Sequence, residues 1–109
     1  MAGIVYDSLL VKVANETNVH VPKGFSPNGD GQNDKLFPIL VGINTMKYFR
    51  VYNRWGNLIY EVTSINPSMG WDGKFKGANQ PMDTYVWVVE VVDVLGKTIK
   101  KSGNTILIR

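Results

Sequence analysis

The 109-residue sequence lacks cysteine, has a single histidine and has no long apolar run. Without cysteine there can be no disulfide framework, no thiolate zinc site and no cysteine nucleophile. The longest unbroken apolar segments, such as residues 85–89, are far shorter than the roughly 20 residues of a membrane helix, so no transmembrane segment is predicted. The chain also has little excess of charge of either sign. Twelve Lys and Arg against nine Asp and Glu leave a net charge of +3, too diffuse to indicate a nucleic-acid or membrane surface.

Most of the chain consists of short segments rich in Val, Ile and aromatic residues, in which apolar residues recur at every second position. The longest segment, residues 84–94, predicts a central strand with one face in the core. The buried side chains predicted for that face are Tyr85, Trp87, Val89 and Val91. Residues 53–57 predict a hairpin loop between two further strands. Strands at a spacing of about ten residues predict an all-β fold, an Ig-like antiparallel β-sandwich of about seven strands.

Candidate catalytic groups are few. His20 lies between Val19 and Val21 in a strand-like run, with no nucleophile motif nearby. Asp30 and Asp34 share a glycine-rich loop, which offers little desolvation to separate their pKa values for acid–base chemistry. The sequence therefore predicts that the protein is not an enzyme.

The loop at residues 25–34 concentrates carboxylate and amide side chains at alternate positions, which converge if the chain curls. Ca²⁺ takes about six to eight oxygen ligands of this kind. The candidate calcium ligands are Asn28, Asp30, Gln32 and Asp34. Ser26 and Phe37 occupy the positions at which helix–loop–helix calcium sites carry acidic ligands, so a site here would be weaker or closed differently. The alternative is a metal-free network of Asx turns.

Two short segments combine cations with aromatic rings. Arg54 and Trp55 lie at the predicted hairpin tip, and residues 74–76 read Lys-Phe-Lys. Platforms for single-stranded nucleic acid have this composition. However, the low net charge favours solvated cations, with Trp55 and Trp71 closing the ends of the sandwich. No nucleic-acid partner is predicted.

Five segments, taken in order, resemble the gliding motility-associated C-terminal domain, the type B sorting domain of the Bacteroidota type IX secretion system. They are FSPNGDGQND at 25–34, VYNRWG at 51–56, GWDG at 70–73, TY at 84–85 and LIR at 107–109. The resemblance assigns residues 19–109 to the domain, and residues 1–18 to a linker or the last strand of a preceding Ig-like module. One departure is Asp83, where the family usually has Gly. A turn with positive φ is expected there, which Asp tolerates better than most residues.

The resemblance implies a non-catalytic C-terminal signal domain of a large secreted or surface protein, often a gliding protein or adhesin. Its route would run through the periplasm and across the outer membrane, to the cell surface or the medium. The implied partners are the outer-membrane type IX secretion machinery and its associated membrane partner. The alternative function is an Ig-like adhesive or structural extracellular module stabilised by calcium.

Recognition by the machinery would need an exposed feature. A terminal strand at residues 104–109 could pair with a receptor strand through its backbone, and the hairpin tip offers Arg and Trp, which are enriched at binding hot spots. The candidate partner-binding residues are Arg54, Trp55, Ile106, Ile108 and Arg109.

Overall fold

The structure, a computed structural model, describes residues 17–29, 34–66 and 69–109. These residues form nine strands and no helix. The strands are β1 (Asn18–His20), β2 (Gly24–Phe25), β3 (Ile39–Val41), β4 (Ile43–Tyr52), β5 (Leu58–Val62), β6 (Lys74–Phe75), β7 (Ala78–Asn79), β8 (Asp83–Asp93) and β9 (Thr98–Leu107). The all-β prediction is confirmed. The assignment of residues 1–18 falls almost entirely outside the described residues.

The main sheet has five strands in the order β2-β9-β8-β4-β5. β8 lies at its centre and pairs antiparallel with β4 and β9, as an alternating segment of its length predicts. β2 pairs with β9 in parallel, so the sheet is mixed rather than purely antiparallel. Side-chain periodicity could not reveal this pairing because β2 has only two residues and its direction depends on a partner more than 80 positions away.

β9 is one continuous strand, whereas the apolar pattern of the sequence predicts two short strands here, at residues 98–101 and 105–108. Gly103 lies opposite Trp87 in the β8–β9 register. A Cβ atom at Gly103 would be 2.7 Å from Cζ2 of the Trp87 ring. The glycine therefore makes room for an aromatic ring within the sheet instead of breaking the strand.

The core lies on one face of the main sheet, where every second residue of β8 is buried, as predicted. The opposing layer includes the two-stranded sheet β1–β3, which contributes Val19, and a bridge between Leu36 and Trp71. The two layers give the sandwich arrangement that the alternation predicts. The other face of the main sheet carries half-exposed polar and apolar side chains. There the ammonium group of Lys47 lowers the pKa of Glu90.

The described part of the chain has no helix long and apolar enough to cross a membrane.

Candidate recognition surface

The sequence motifs meet at one end of the sandwich, where β8 begins at Asp83 and β9 ends at Leu107; we call this the motif end. Trp71 lies at its centre and is almost fully buried. Its ring centroid is 5.4 Å from that of Phe25 and 4.8 Å from that of Tyr85, in tilted and edge-to-face arrangements that aromatic pairs prefer. Three separate motifs thus share one aromatic cluster.

Hydrogen bonds fix Trp71 within this cluster. Its backbone N–H and C=O exchange two 2.8 Å hydrogen bonds with Leu36, and its indole Nε1 donates to the Lys74 carbonyl at 2.8 Å. The Tyr85 hydroxyl donates to the Pro81 carbonyl at 2.7 Å, and burial, with a smaller effect from Asp83, raises the pKa of this tyrosine. The phenol therefore stays protonated and acts as a donor.

Both the backbone conformation at position 73 and the atoms around it require glycine. Its φ is +80°, and a Cβ atom there would lie 3.1 Å from Pro27 Cγ and 3.1 Å from Arg109 Nη2. The Arg109 side chain donates from Nη2 to the Gly73 carbonyl at 2.7 Å and from Nε to the Gln80 carbonyl at 2.9 Å. Arg109 therefore holds a loop of its own domain. Its contact with a partner stays a prediction.

The β4–β5 hairpin tip projects from the motif end and is held by Asn53. The Oδ1 atom of Asn53 accepts hydrogen bonds from the backbone N–H groups of Trp55 at 3.0 Å and Asn57 at 2.9 Å. The Trp55 side chain is 72% exposed, so it does not close the end of the sandwich, in contrast to Trp71. The sequence alone did not separate the two tryptophans because both lie in Gly-containing loops between strands.

Arg54, the neighbour of Trp55, pairs with Asp83. The guanidinium carbon of Arg54 is 5.5 Å from the Trp55 ring centroid, and its Nη1 atom is 3.4 Å from Oδ2 of Asp83. The expected positive φ at Asp83 is wrong. Lys76 is the single non-glycine residue with positive φ in the described ranges. Asp83 instead begins β8 opposite Leu107, so its backbone is that of an ordinary strand.

Ile106 and Ile108 have half-exposed side chains, at 50% and 51%. Their backbone N–H groups donate to the carbonyls of Lys23 and Phe25, both at 2.9 Å. The backbone of β9 is therefore already paired here, and a partner would contact these two residues through their side chains. That contact stays a prediction.

The candidate calcium loop is described only at its two sides, because Asp30 and Gln32 lie outside the described residues. Asn28 is exposed, and Oδ1 of Asp34 accepts the backbone N–H of Gly29 at 2.9 Å. This bond joins the two described sides of the loop.

Asp34 also lines a surface groove of about 230 Å³, which it shares with Asp72, Lys35 and Lys74. Two carboxylates would favour a cation there, and the two ammonium groups would oppose it. Within residues 17–29, 34–66 and 69–109, no three His, Cys, Asp or Glu side chains are grouped as metal ligands. Calcium binding stays a prediction.

A second projecting hairpin, β6–β7, also arises from the motif end. The Phe75 side chain is 37% exposed, and Lys76 Nζ lies 5.3 Å from its ring centroid. The sequence singled out these residues for their composition alone. Their place beside the Arg109-held loop depends on tertiary contacts that no local pattern encodes.

Comparison with known protein families gave a match over most of the chain. The family model described as the CHU_C type IX secretion signal domain matches residues 19–107, a range that contains nearly all of the described strands. Searches of curated proteins and of solved structures gave no significant match.

Proposed function

Because the chain belongs to the CHU_C type IX secretion signal domain family, we propose that residues 19–109 are the C-terminal sorting signal of a larger gliding or adhesin protein. The machinery recognises the folded domain at its motif end, and the passenger travels through the periplasm to the cell surface or the medium. Such a role requires binding and no chemical step, which agrees with the non-catalytic character of the family.

The observation that carries the proposal is the contrast between the two tryptophans of the motif end. Trp71 is 1% exposed and fixes the interior, whereas Trp55 is 72% exposed on a hairpin whose backbone is held by Asn53. Large aromatic residues presented on a rigid element are typical anchors of protein interfaces. The pair Arg54 and Trp55 at the hairpin tip, with Ile106 in β9 and Ile108 just after it, supplies the contact surface.

Export of a carrier protein tests the proposed function. A fluorescent protein with an N-terminal signal peptide is fused to residues 19–109 and expressed in a host with an intact type IX system and in a mutant that lacks it. The fusion should reach the surface or the medium only in the intact host. Retention of a folded fusion in the periplasm of both hosts, with any associated membrane partner supplied, would contradict the proposal and favour the adhesive or structural module.

The substitution Arg54→Ala in the same fusion separates recognition from stability. The pair with Asp83 is largely exposed, and exposed ion pairs contribute only about 0–1 kcal/mol. Export should fall while the melting temperature stays close to that of the parent chain. A loss of export that is matched by a loss of thermal stability would assign Arg54 a structural role instead.

A further inference from the structure

The β6–β7 hairpin has a turn that its sequence does not favour. Lys74 pairs with Asn79 and Phe75 with Ala78, which leaves a two-residue loop of Lys76 and Gly77. Both loop residues have positive φ, +53° and +81°. Asn or Gly is favoured at the first position of such turns, because a side chain with a Cβ atom and no local hydrogen bond is strained there.

The two-residue turn itself requires positive φ at Lys76, but the contacts of the Lys76 side chain do not explain why lysine occupies that position. Its ammonium group lies near the Phe75 ring, and no carboxylate of the described residues pairs with it. Both side chains are exposed. A residue type that is strained at its position and gains no stabilising contact there is characteristic of functional positions.

This hairpin tip repeats the chemistry of the β4–β5 tip. Each tip carries one exposed aromatic ring with a cation at 5.3–5.5 Å from its centroid, Trp55 with Arg54 and Phe75 with Lys76. Each is also rigid. Asn53 holds the first tip, and the Arg109 side chain holds Gly73 and Gln80 on either side of the second.

The charge of the motif end is predominantly positive. Among the described residues, its cationic side chains outnumber its carboxylate side chains by six to three. The cations are Lys23, Lys35, Arg54, Lys74, Lys76 and Arg109, and the carboxylates are Asp34, Asp72 and Asp83. A complementary partner is therefore acidic around its contact site.

We propose that the two hairpin tips together bind an acidic protein surface with an apolar centre, which belongs to the transport machinery. Trp55 and Phe75 contact the apolar centre, and Arg54 and Lys76 pair with the surrounding carboxylates. This inference rests on the proposed function. It adds the second hairpin and the chemistry of the partner.

The substitution Lys76→Asn tests the inference because it changes stability and binding in opposite directions. Asn suits the first position of the turn, so the melting temperature should stay unchanged or rise. Export of the carrier fusion should fall about fivefold or more, the loss expected for one anchoring contact. The matched control is Lys97→Asn, which removes the same charge from an exposed residue in the turn between β8 and β9, at the opposite end of the sheet. Its export should equal that of the parent fusion.

The outcomes distinguish the two proposals. If the parent fusion is not exported, the proposed function is wrong. If the parent is exported and Lys76→Asn is exported to the same level as Lys97→Asn, the proposed role of the second hairpin is wrong while the proposed function stands.

The purified full chain is also mixed with a single-stranded oligonucleotide and with vesicles of anionic phospholipid. Binding to either that Lys76→Asn abolishes and Lys97→Asn preserves would overturn the assignment of a protein partner.

Discussion

Arg109 connects parts of the chain that are distant in sequence, because its guanidinium donates to two carbonyls that lie 29 and 36 residues upstream. Arg109→Ala should lower the free energy of unfolding by about 1 kcal/mol, the usual net contribution of hydrogen bonds at a partly exposed site. Arg54→Ala is the matched control because it removes the same group from the same end of the domain without cutting a bond to the backbone. Urea denaturation should show a larger loss of unfolding free energy for Arg109→Ala than for Arg54→Ala. Equal losses would mean that the bonds to Gly73 and Gln80 do not stabilise the loop.

Gly103 is a second residue with a sharp steric requirement. A methyl group there would meet the Trp87 ring at 2.7 Å and 3.0 Å, so Gly103→Ala should destabilise the domain by roughly 1–3 kcal/mol through overpacking. Gly24→Ala provides the control, since its Cβ atom would make ordinary contacts at 3.5 Å and 3.8 Å and should change stability by less than about 0.5 kcal/mol. Thermal denaturation monitored by circular dichroism compares the two. A Gly103 variant as stable as the Gly24 variant would show that the ring can move aside.

Among the elements, the loop between β2 and β3 allows a direct test of calcium binding. If Ca²⁺ binds only the folded state, a Ca²⁺ concentration ten times the dissociation constant raises the free energy of unfolding by about 1.4 kcal/mol. That gain corresponds to a rise of roughly 5–10 °C in the melting temperature of a domain of this size. Asp34→Asn keeps an oxygen that can accept the Gly29 N–H and removes the negative charge, so it should reduce the rise. Identical melting curves in chelator and in millimolar calcium would exclude the site.

The strands show how much of an element can be read from local sequence. β8 was predictable because eleven residues alternate around a buried face, and a shift of one position would move Tyr85 and Trp87 to the surface. β2, β6 and β7 have two residues each, too few for a period to appear. Their existence depends on distant pairing or on a tight turn. The number of strands was therefore underestimated, although the fold class was correct.

At the scale of the whole molecule, the motifs identified the family, and alternation identified the layered all-β architecture. The sequence could not show that the motifs meet at one end of the sandwich. It also could not show which motif residues are buried in the core and which are exposed. Trp55 and Trp71 have similar sequence surroundings. Trp71 is buried and Trp55 exposed because Phe25, Tyr85 and Leu36 pack around Trp71. The proposed partner-binding and calcium residues remain predictions, because binding at either site depends on the three-dimensional arrangement of groups as well as on the local sequence pattern.

The pairing of β2 with β9 bears on how the protein is synthesised. Phe25 lies opposite Leu107, so the strand that completes the sheet leaves the ribosome about 80 residues after the strand it pairs with. Contacts of such long range form late and slowly. A nascent chain that stalls before residue 98 lacks β9 and the Arg109 side chain, so β2 has no partner strand and the Gly73 carbonyl lacks its Arg109 donor. Formation of the motif end therefore requires that synthesis has proceeded through β9 to Arg109.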